Sequence, residues 1–127
     1  MGHSADFGMH IKSVYYDGTT KGDQATKGEP LLCEPRPALI LQNDVANRFS
    51  PITIVAAITS QFEAPLYPTE VLVRAPEGRL QVDSVVLLNQ ICSIDHRRLT
   101  RRLGKLSTET MRSVDRALVV SLGLTEI

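Results

Sequence analysis

The sequence predicts one mainly β domain spanning residues 1–127, an antiparallel barrel or strongly bent sheet with a helix at its carboxyl end. The chain has 127 residues, which suffices for one domain with its own core. Short runs rich in β-branched and apolar residues are separated by turn residues rather than by helical segments. An amphipathic pattern of helical period follows only near the carboxyl end.

The amino-terminal part contains the first predicted strand and the longest predicted loop. Residues 1–10 read as an expression remnant or a disordered end, and they lack the hydrophobic segment of a signal peptide. Residues 11–16 are rich in β-branched and aromatic residues, which predicts a strand. Glycines and turn residues dominate residues 17–35, so we expect a long loop there. A loop of this length in a compact domain is usually functional or mobile.

Four apolar runs then predict the core strands, and residues 43–51 between the first two predict a turn. The runs are Ala38–Leu41, Ile52–Ile58, Thr69–Val73 and Ser84–Leu88.

Two helical segments are predicted after these strands. Asp95 can cap a short helical turn at His96–Leu99. Ser107 is a good N-cap for a longer amphipathic helix, which we expect to end near Gly123.

Charge and composition exclude several classes of protein. The 14 Lys and Arg residues balance 14 Asp and Glu residues, which argues against a globally basic nucleic-acid binder. The balance is uneven, because five Lys or Arg residues and one His lie within residues 96–105 without an acid. This basic segment suits non-specific binding of RNA phosphates, a solvated helix-turn surface, or a seat for an acidic partner.

Metal, cofactor and membrane functions have no support in the sequence. Cys33 and Cys92 are far apart, and no His/Cys cluster has the spacing of a metal site. We therefore expect two reduced thiols, a cytoplasmic location and no cofactor or metal. No apolar run approaches the roughly 18 residues that span a bilayer. The motifs of common hydrolases and nucleotide-binding proteins are absent from the sequence.

Two polar positions at strand ends are candidate site residues. Arg36 opens a buried strand directly after the long loop, and Pro37 biases it toward an extended conformation. Thr59, Ser60 and Gln61 follow the most apolar strand and offer hydroxyl and amide groups. The simpler interpretations are a surface arginine flanking a strand and ordinary strand termination.

Several segments, taken in order, resemble the MazF/PemK toxin family over roughly residues 36–125. They are Arg36–Asp44, Asn47–Pro51, Ile54–Thr59, Asp83–Ile91, Ile94–Asp95 and the pattern Met111–Leu124.

This resemblance implies a small curved antiparallel β-barrel with a C-terminal helix, a MazF/CcdB-like variant of an SH3-like barrel. It further implies a homodimer that cuts single-stranded RNA at short sequences without a metal. A MazE-like antitoxin would neutralise it. The family's catalytic arginine and threonine correspond to Arg36 and Thr59.

The chemistry implied by the resemblance uses the substrate's own nucleophile. The 2′-hydroxyl attacks the adjacent phosphate, leaving a 2′,3′-cyclic phosphate and a 5′-hydroxyl. Arg36 would clamp the phosphate and protonate the leaving oxygen, and Thr59 would donate a hydrogen bond to the same phosphate. The expected base-contacting residues are Ser60, Gln61 and Gln90, together with Gln24 in the long loop.

Two other functions remain open on the same sequence, because the segment before Arg36 is longer than the family's loop and lacks its usual Arg-Gly-Asp strand. One is a non-catalytic protein of this fold that binds an antitoxin or, like CcdB, acts on gyrase. The other is a structural homodimer without nucleic-acid contact.

Overall fold

The computed structural model describes residues 12–17 and 36–124. The predictions for residues 1–10, and for the long loop beyond Asp17, lie outside the described residues. In the described part the strands are β1 (Ser13–Asp17), β2 (Arg36–Ile40), β3 (Ile52–Thr59), β4 (Glu70–Val73), β5 (Ser84–Asp95) and β6 (Leu99–Lys105). The α-helices are α1 (Asp44–Phe49) and α2 (Thr108–Ser121), and short 3-10 turns occupy Glu77–Arg79 and His96–Arg98.

The six strands form one antiparallel sheet in the order β4-β5-β3-β2-β1-β6. This confirms the predicted antiparallel β class with a helix at its carboxyl end. Strands β4 and β6 are its edges, and no pairing among the described residues joins them into a closed barrel. The sheet bends strongly instead. Ala56 and Ala57 of β3 pair with Ile91 and Leu87, so β5 accommodates extra residues in a bulge.

Helix α1 replaces the turn predicted for residues 43–51. The Asn43 side chain accepts a hydrogen bond from the Ala46 N–H at 2.9 Å and thereby caps the helix. Asparagine is favoured both in turns and at helix N-caps, so the sequence pattern alone does not separate the two. The prediction of a turn was therefore wrong.

The basic segment contains a strand that the sequence analysis did not predict. The predicted run Ser84–Leu88 extends to Asp95 as β5, and the predicted turn at His96 is present with the Asp95 side chain as its cap. Strand β6 then follows at the edge of the sheet. It contains Arg101, Arg102 and Lys105 and lacks a run of buried apolar residues, which is typical of charged edge strands.

Two apolar clusters lie on opposite faces of the sheet. The inner cluster includes Val14, Leu39 and Ile58 and packs against Met111 and Val114 of α2. As predicted, Ser107 caps α2 by accepting from the Thr110 N–H at 3.1 Å, and the chain leaves the helix through Gly123 at a φ of 70°.

The outer cluster covers the other face. It contains Tyr15, Ala38, Val55, Ala57 and Val85 among its members. Successive strand residues point to opposite faces. We call the face that packs against α2 the inner face and the opposite one the outer face.

A close backbone contact holds the curl of the sheet. A Cβ atom on Gly104 of β6 would lie 2.8 Å from the carbonyl carbon of Gly78, in the turn that follows β4. Only glycine at position 104 permits this approach, which brings the turn after one edge strand onto the other edge strand. No helix in the described ranges is long and apolar enough to cross a membrane.

Candidate active site

Strands β2 and β3 bring Arg36 and Thr59 to the same end of the sheet. The pairs are Ala38 with Ala57, Leu39 with Ala56 and Ile40 with Val55. Two further steps along this register set Arg36, the first residue of β2, opposite Thr59, the last residue of β3. Side chains directly opposite each other share a face, with Cβ atoms roughly 4.5–5.5 Å apart. The Arg36 guanidinium and the Thr59 hydroxyl can therefore contact the same chemical group of a bound ligand.

The Thr59 hydroxyl is oriented by its own chain. Its Oγ1 accepts a hydrogen bond from the Gln61 backbone N–H at 3.0 Å. A hydroxyl has one proton to donate in addition to its acceptor lone pairs. This turn therefore fixes the oxygen and leaves the proton available for a ligand. The predicted residue Gln61 is exposed, and its backbone rather than its amide side chain makes this contact.

Two further side chains belong to the outer face near this pair. Tyr15 pairs with Ala38 of β2 and with Arg102 of β6, so both Tyr15 and Arg102 share the face of Arg36. Burial raises the pKa of Tyr15, and the Arg102 charge opposes that rise in part. The phenol is therefore protonated at neutral pH. The sequence pattern predicts only that Tyr15 lies in a strand, and the pairing of β1 with β6 reveals its position beside Arg102.

Ser60 points to the other face from Thr59. It is exposed and lines a cavity of about 280 Å³ together with Arg79, Gln81 and Arg101. Alternation along β3 explains the separation, because neighbouring residues at a strand end project to opposite faces. Ser60 is thus adjacent to Thr59 in the chain, but its side chain lies on the inner face and not on the face of Arg36 and Thr59.

Gln90 does not join the candidate pair. It lies in the bulge of β5 between Leu87 and Ile91, whereas Thr59 pairs with Val85. The Gln90 Oε1 atom is buried and accepts no hydrogen bond within the described part of the chain. Gln24 lies outside the described residues. The base-contacting roles of Gln24, Ser60, Gln61 and Gln90 stay predictions.

The basic segment is partly neutralised by its neighbour. Arg97 contacts the Asp95 carboxylate through Nε and Nη2 at 3.0 and 2.8 Å. Hydrogen bonds from the Arg97 side chain and then its backbone lower the pKa of Asp95 to about 2. The two arginines of β6 separate onto the two faces, with Arg102 beside Tyr15 and Arg101 in the cavity. The segment is thus a helical turn followed by an edge strand with exposed arginines, and its role as an RNA-binding surface or a binding site for an acidic partner stays a prediction.

The described residues bring together no group of three or more His, Cys, Asp or Glu side chains that could hold a metal. Cys92 is half-buried and packs against the outer cluster, and Cys33 lies outside the described residues. A planar guanidinium beside a hydroxyl matches the oxygen atoms of a phosphate group. The chemistry available at this sheet end is thus anion binding and charge stabilisation.

Sequence and structure comparisons agree on one family. Residues 24–122 match the family described as "PemK-like, MazF-like toxin of type II toxin-antitoxin system". Endoribonuclease EndoA of Bacillus subtilis (strain 168) is 49% identical over 89 residues, which cover 70% of this chain and 77% of that protein.

Solved structures share the fold. A mycobacterial endoribonuclease in complex with its cognate antitoxin has a TM-score of 0.71 at 21% identity, covering 93% of this chain and 98% of that one. MazF (Form-I) from Deinococcus radiodurans has a TM-score of 0.69 at 26% identity, covering 90% and 96%.

The bent antiparallel sheet and the family match define a toxin of the type II toxin-antitoxin class. The chain belongs to the PemK-like, MazF-like family of these toxins.

Proposed function

We propose that this chain is a sequence-specific, metal-independent endoribonuclease that cleaves single-stranded RNA. The observation that carries the proposal is the β2–β3 register, which, continued two residues beyond the pair Ala38–Ala57, leads to Arg36 opposite Thr59. Its 49% identity to an endoribonuclease over most of that protein's length supports the same reaction. RNA phosphodiesters are the substrate class that combines an anionic group with a built-in hydroxyl nucleophile.

In the proposed reaction the 2′-hydroxyl oxygen forms a bond to the adjacent phosphorus, and the bond from phosphorus to the 5′-oxygen breaks. The nucleophile's proton passes to solvent, and the leaving 5′-oxygen takes a proton from the Arg36 guanidinium, which solvent then restores. Arg36 and Thr59 stabilise the extra negative charge on the phosphate oxygens as the transition state forms. The products are a 2′,3′-cyclic phosphate and a 5′-hydroxyl.

The Thr59 hydroxyl is suited to this role by its local hydrogen bond. Because Oγ1 already accepts from the Gln61 N–H, the oxygen is held in place and its own proton can be donated to a ligand. A preoriented donor costs little reorganisation when charge develops on the substrate. Exposed Arg102 on the same face would extend the positive surface along the RNA backbone.

The proposed partners follow from the relatives. A mycobacterial relative was solved with its cognate antitoxin and a Deinococcus radiodurans relative as a MazE-MazF complex, so we assign this chain a MazE-like antitoxin. The homodimeric state is what the family resemblance implies, and it stays a prediction. An antitoxin that covers the Arg36 end of the sheet would stop cleavage by excluding RNA.

The test measures cleavage of a long single-stranded RNA in EDTA by wild type and four variants. We expect Arg36→Ala to lower the single-turnover rate by about 10³-fold or more, because charge on the phosphate loses its clamp. Thr59→Val keeps the shape of the side chain and should lower the rate by about 10²-fold. Thr59→Ser keeps the hydroxyl and should retain most of the activity.

Arg48→Gln is the matched control for loss of a positive charge, since exposed Arg48 lies at the opposite end of β3. Circular dichroism checks that each variant is folded. Equal rates for wild type and Arg36→Ala would refute the assigned pair. Binding of RNA without cleavage by wild type would favour the non-catalytic alternative.

A further inference from the structure

A cavity beside the candidate active site has no role in the cleavage chemistry described above. It has a volume of about 280 Å³ and lies at the mouth of the curled sheet, between the ends of β2 and β3 and the turn after β4. Its walls are mainly apolar. Its polar groups come from Ser60, Arg79, Gln81, Ser84 and Arg101. Apolar walls with a few convergent polar groups are typical of small-ligand sites.

The cavity begins one residue from each member of the candidate pair. Pro37 follows Arg36 and Ser60 follows Thr59, and both line the cavity. Consecutive Cα atoms are only about 3.8 Å apart. The side chains of Arg36 and Thr59 lie on the outer face, whereas the cavity opens on the inner face. Both are at the same ends of β2 and β3. A nucleic-acid strand bound by Arg36 and Thr59 can therefore cross the end of the sheet and enter the cavity.

Arg79 is held at this cavity in an unusual backbone conformation. Its φ is 62°, directly after Gly78 at a φ of 66°. Non-glycine residues rarely adopt this left-handed region, and such outliers concentrate at ligand sites. The Arg79 side chain passes over Gly104, since a Cβ there would lie 3.1 Å from Arg79 Cγ. A glycine at position 79 would relieve the strain, so the backbone conformation itself does not require an arginine there.

The other polar groups suit a nucleotide. Arg101 of β6 places a second guanidinium at the same cavity, and two arginines match phosphate oxygens. The buried Ser84 hydroxyl donates to the Val82 carbonyl at 2.9 Å, which leaves its oxygen as an acceptor. The Gln81 amide has both donors and an acceptor, the combination that reads the edge of an unstacked base.

We propose that this cavity binds one nucleotide of the RNA, next to the phosphodiester held by Arg36 and Thr59. The base lies between the apolar walls within reach of Gln81, and a phosphate contacts Arg79 and Arg101. This inference rests on the proposed function, because it assigns a flanking nucleotide of the same substrate. An acidic peptide would satisfy the arginines but would not use the apolar walls, so RNA is the better match.

The first experiment measures binding of a short random-sequence 2′-O-methyl RNA pool, which lacks the nucleophile and stays intact. Arg79→Gly removes the guanidinium and suits the left-handed backbone, so its melting temperature should equal or exceed that of wild type. We expect its dissociation constant to rise about tenfold. The slope of log affinity against log salt should fall by about 0.7 for each RNA phosphate that the variant no longer neutralises.

The matched control is Arg48→Gln, which removes one exposed charge at the far end of β3 and should change RNA affinity less than about twofold. If Arg79→Gly binds this RNA as tightly as wild type, with the same salt slope, the cavity does not hold RNA. A loss confined to binding of an acidic antitoxin peptide would equally overturn the proposal.

The second experiment maps cleavage ends on a long RNA for wild type and Gln81→Ala. The proposal predicts a relaxed base preference at one position beside the cut and unchanged preferences elsewhere. Suppose that wild type cuts RNA, that Arg79→Gly binds RNA like wild type and that Gln81→Ala has the wild-type base preference. The proposed nucleotide site is then refuted, while the proposed endoribonuclease activity is not. If wild type does not cut RNA, the proposed function fails, and an Arg79-dependent affinity would still support the cavity as a nucleotide site.

Discussion

Asn47 shows how one buried polar side chain joins helix α1 to strand β3. Its Oδ1 accepts from Thr53 Oγ1 at 2.6 Å and from Gln42 Nε2 at 2.9 Å. Its Nδ2 donates to the Gln42 carbonyl at 2.9 Å. Both Asn47 and Thr53 are buried, so water does not replace these bonds. Part of the segment that resembles the toxin family is therefore explained by structure rather than by contact with RNA.

We expect Asn47→Ala to lower the free energy of unfolding by about 2–3 kcal/mol. The Thr53 hydroxyl and the Gln42 carbonyl would each lose a hydrogen-bond partner. Leaving a buried polar group without a partner destabilises a protein more than replacing both partners by apolar groups. Urea unfolding of wild type and the variant measures the loss, with exposed Asn89→Ala as the control.

Adding Thr53→Val to Asn47→Ala should recover about 1 kcal/mol, because both ends of the strongest contact are then apolar. A strictly additive double variant would show that the two side chains are not coupled.

At the scale of elements, the amino end of α2 is fastened to the turn after β4. Glu77 Oε2 accepts from the Ser107 backbone N–H at 2.9 Å. Partial burial opposes ionisation of Glu77, but the hydrogen bonds from Ser107 and Thr110 outweigh it and lower the pKa of Glu77. A carboxylate beside exposed N–H groups at a helix start is stabilising.

This lowered pKa predicts a pH-dependent contribution to stability. The contribution is fully present above the ordinary Glu pKa of 4.5 and is lost as pH falls through the lower value of the folded state. Glu77→Gln keeps an acceptor oxygen but removes the charge. We expect it to lower the unfolding free energy at neutral pH by at most about 1 kcal/mol, because Glu77 is only partly buried and solvent screens its charge.

Urea unfolding of wild type and Glu77→Gln at neutral and acidic pH tests the sign. The difference between them should shrink as pH falls below about 4.5. A difference that is constant or grows toward acid would contradict the assigned interaction.

The elements differ in how well their sequence reveals them. Helix α2 and the apolar strands β2 and β3 could be predicted, because their periodicity reports a buried face directly. Strand β6 could not, since an edge strand with Arg101 and Arg102 at exposed positions has no such pattern. Helix α1 was also missed, because its Asn43 cap looks like a turn residue.

The two candidate catalytic residues, Arg36 and Thr59, could be predicted from the sequence for a related reason. Arg36 and Thr59 border apolar runs, so they could be singled out, but only the β2–β3 register, continued by two residues, indicates that they are opposite each other. Arg79 and Gln81 were not singled out. Their position beside Ser60 depends on the curl of the whole sheet, which no local pattern encodes.

At the scale of the whole molecule, the curl depends on the contact between Gly104 and Gly78. A side chain at position 104 would meet the Gly78 carbonyl carbon at 2.8 Å and oxygen at 3.0 Å, which are backbone atoms with little freedom to move. The Arg79 side chain also passes close to Gly104, with Arg79 Cγ 3.1 Å from the position of a Cβ at residue 104. The absence of a side chain at Gly104 therefore affects both the curl of the sheet and the position of Arg79 in the cavity.

We expect Gly104→Ala to lower the free energy of unfolding by about 1–3 kcal/mol, because the turn after β4 must retreat from β6. Gly123→Ala is the contrasting variant, since it has open space around the added Cβ and is strained only by its φ of 70°. RNA affinity separates the two: it should fall with Gly104→Ala and not with Gly123→Ala. Equal RNA affinity in both variants would contradict the link between curl and cavity.

The chemistry of the fragment ends tests most directly whether the phosphodiester is attacked by the 2′-hydroxyl of its own ribose, the reaction proposed for the Arg36 and Thr59 site. The measurement is the identity of both termini after wild-type cleavage in EDTA, with a matched substrate carrying one 2′-deoxynucleotide on the 5′ side of the cut. We predict 2′,3′-cyclic phosphate and 5′-hydroxyl ends, and an intact bond at the deoxy position. Fragments ending in a 3′-hydroxyl and a 5′-phosphate, or cleavage at the deoxy position, would contradict it.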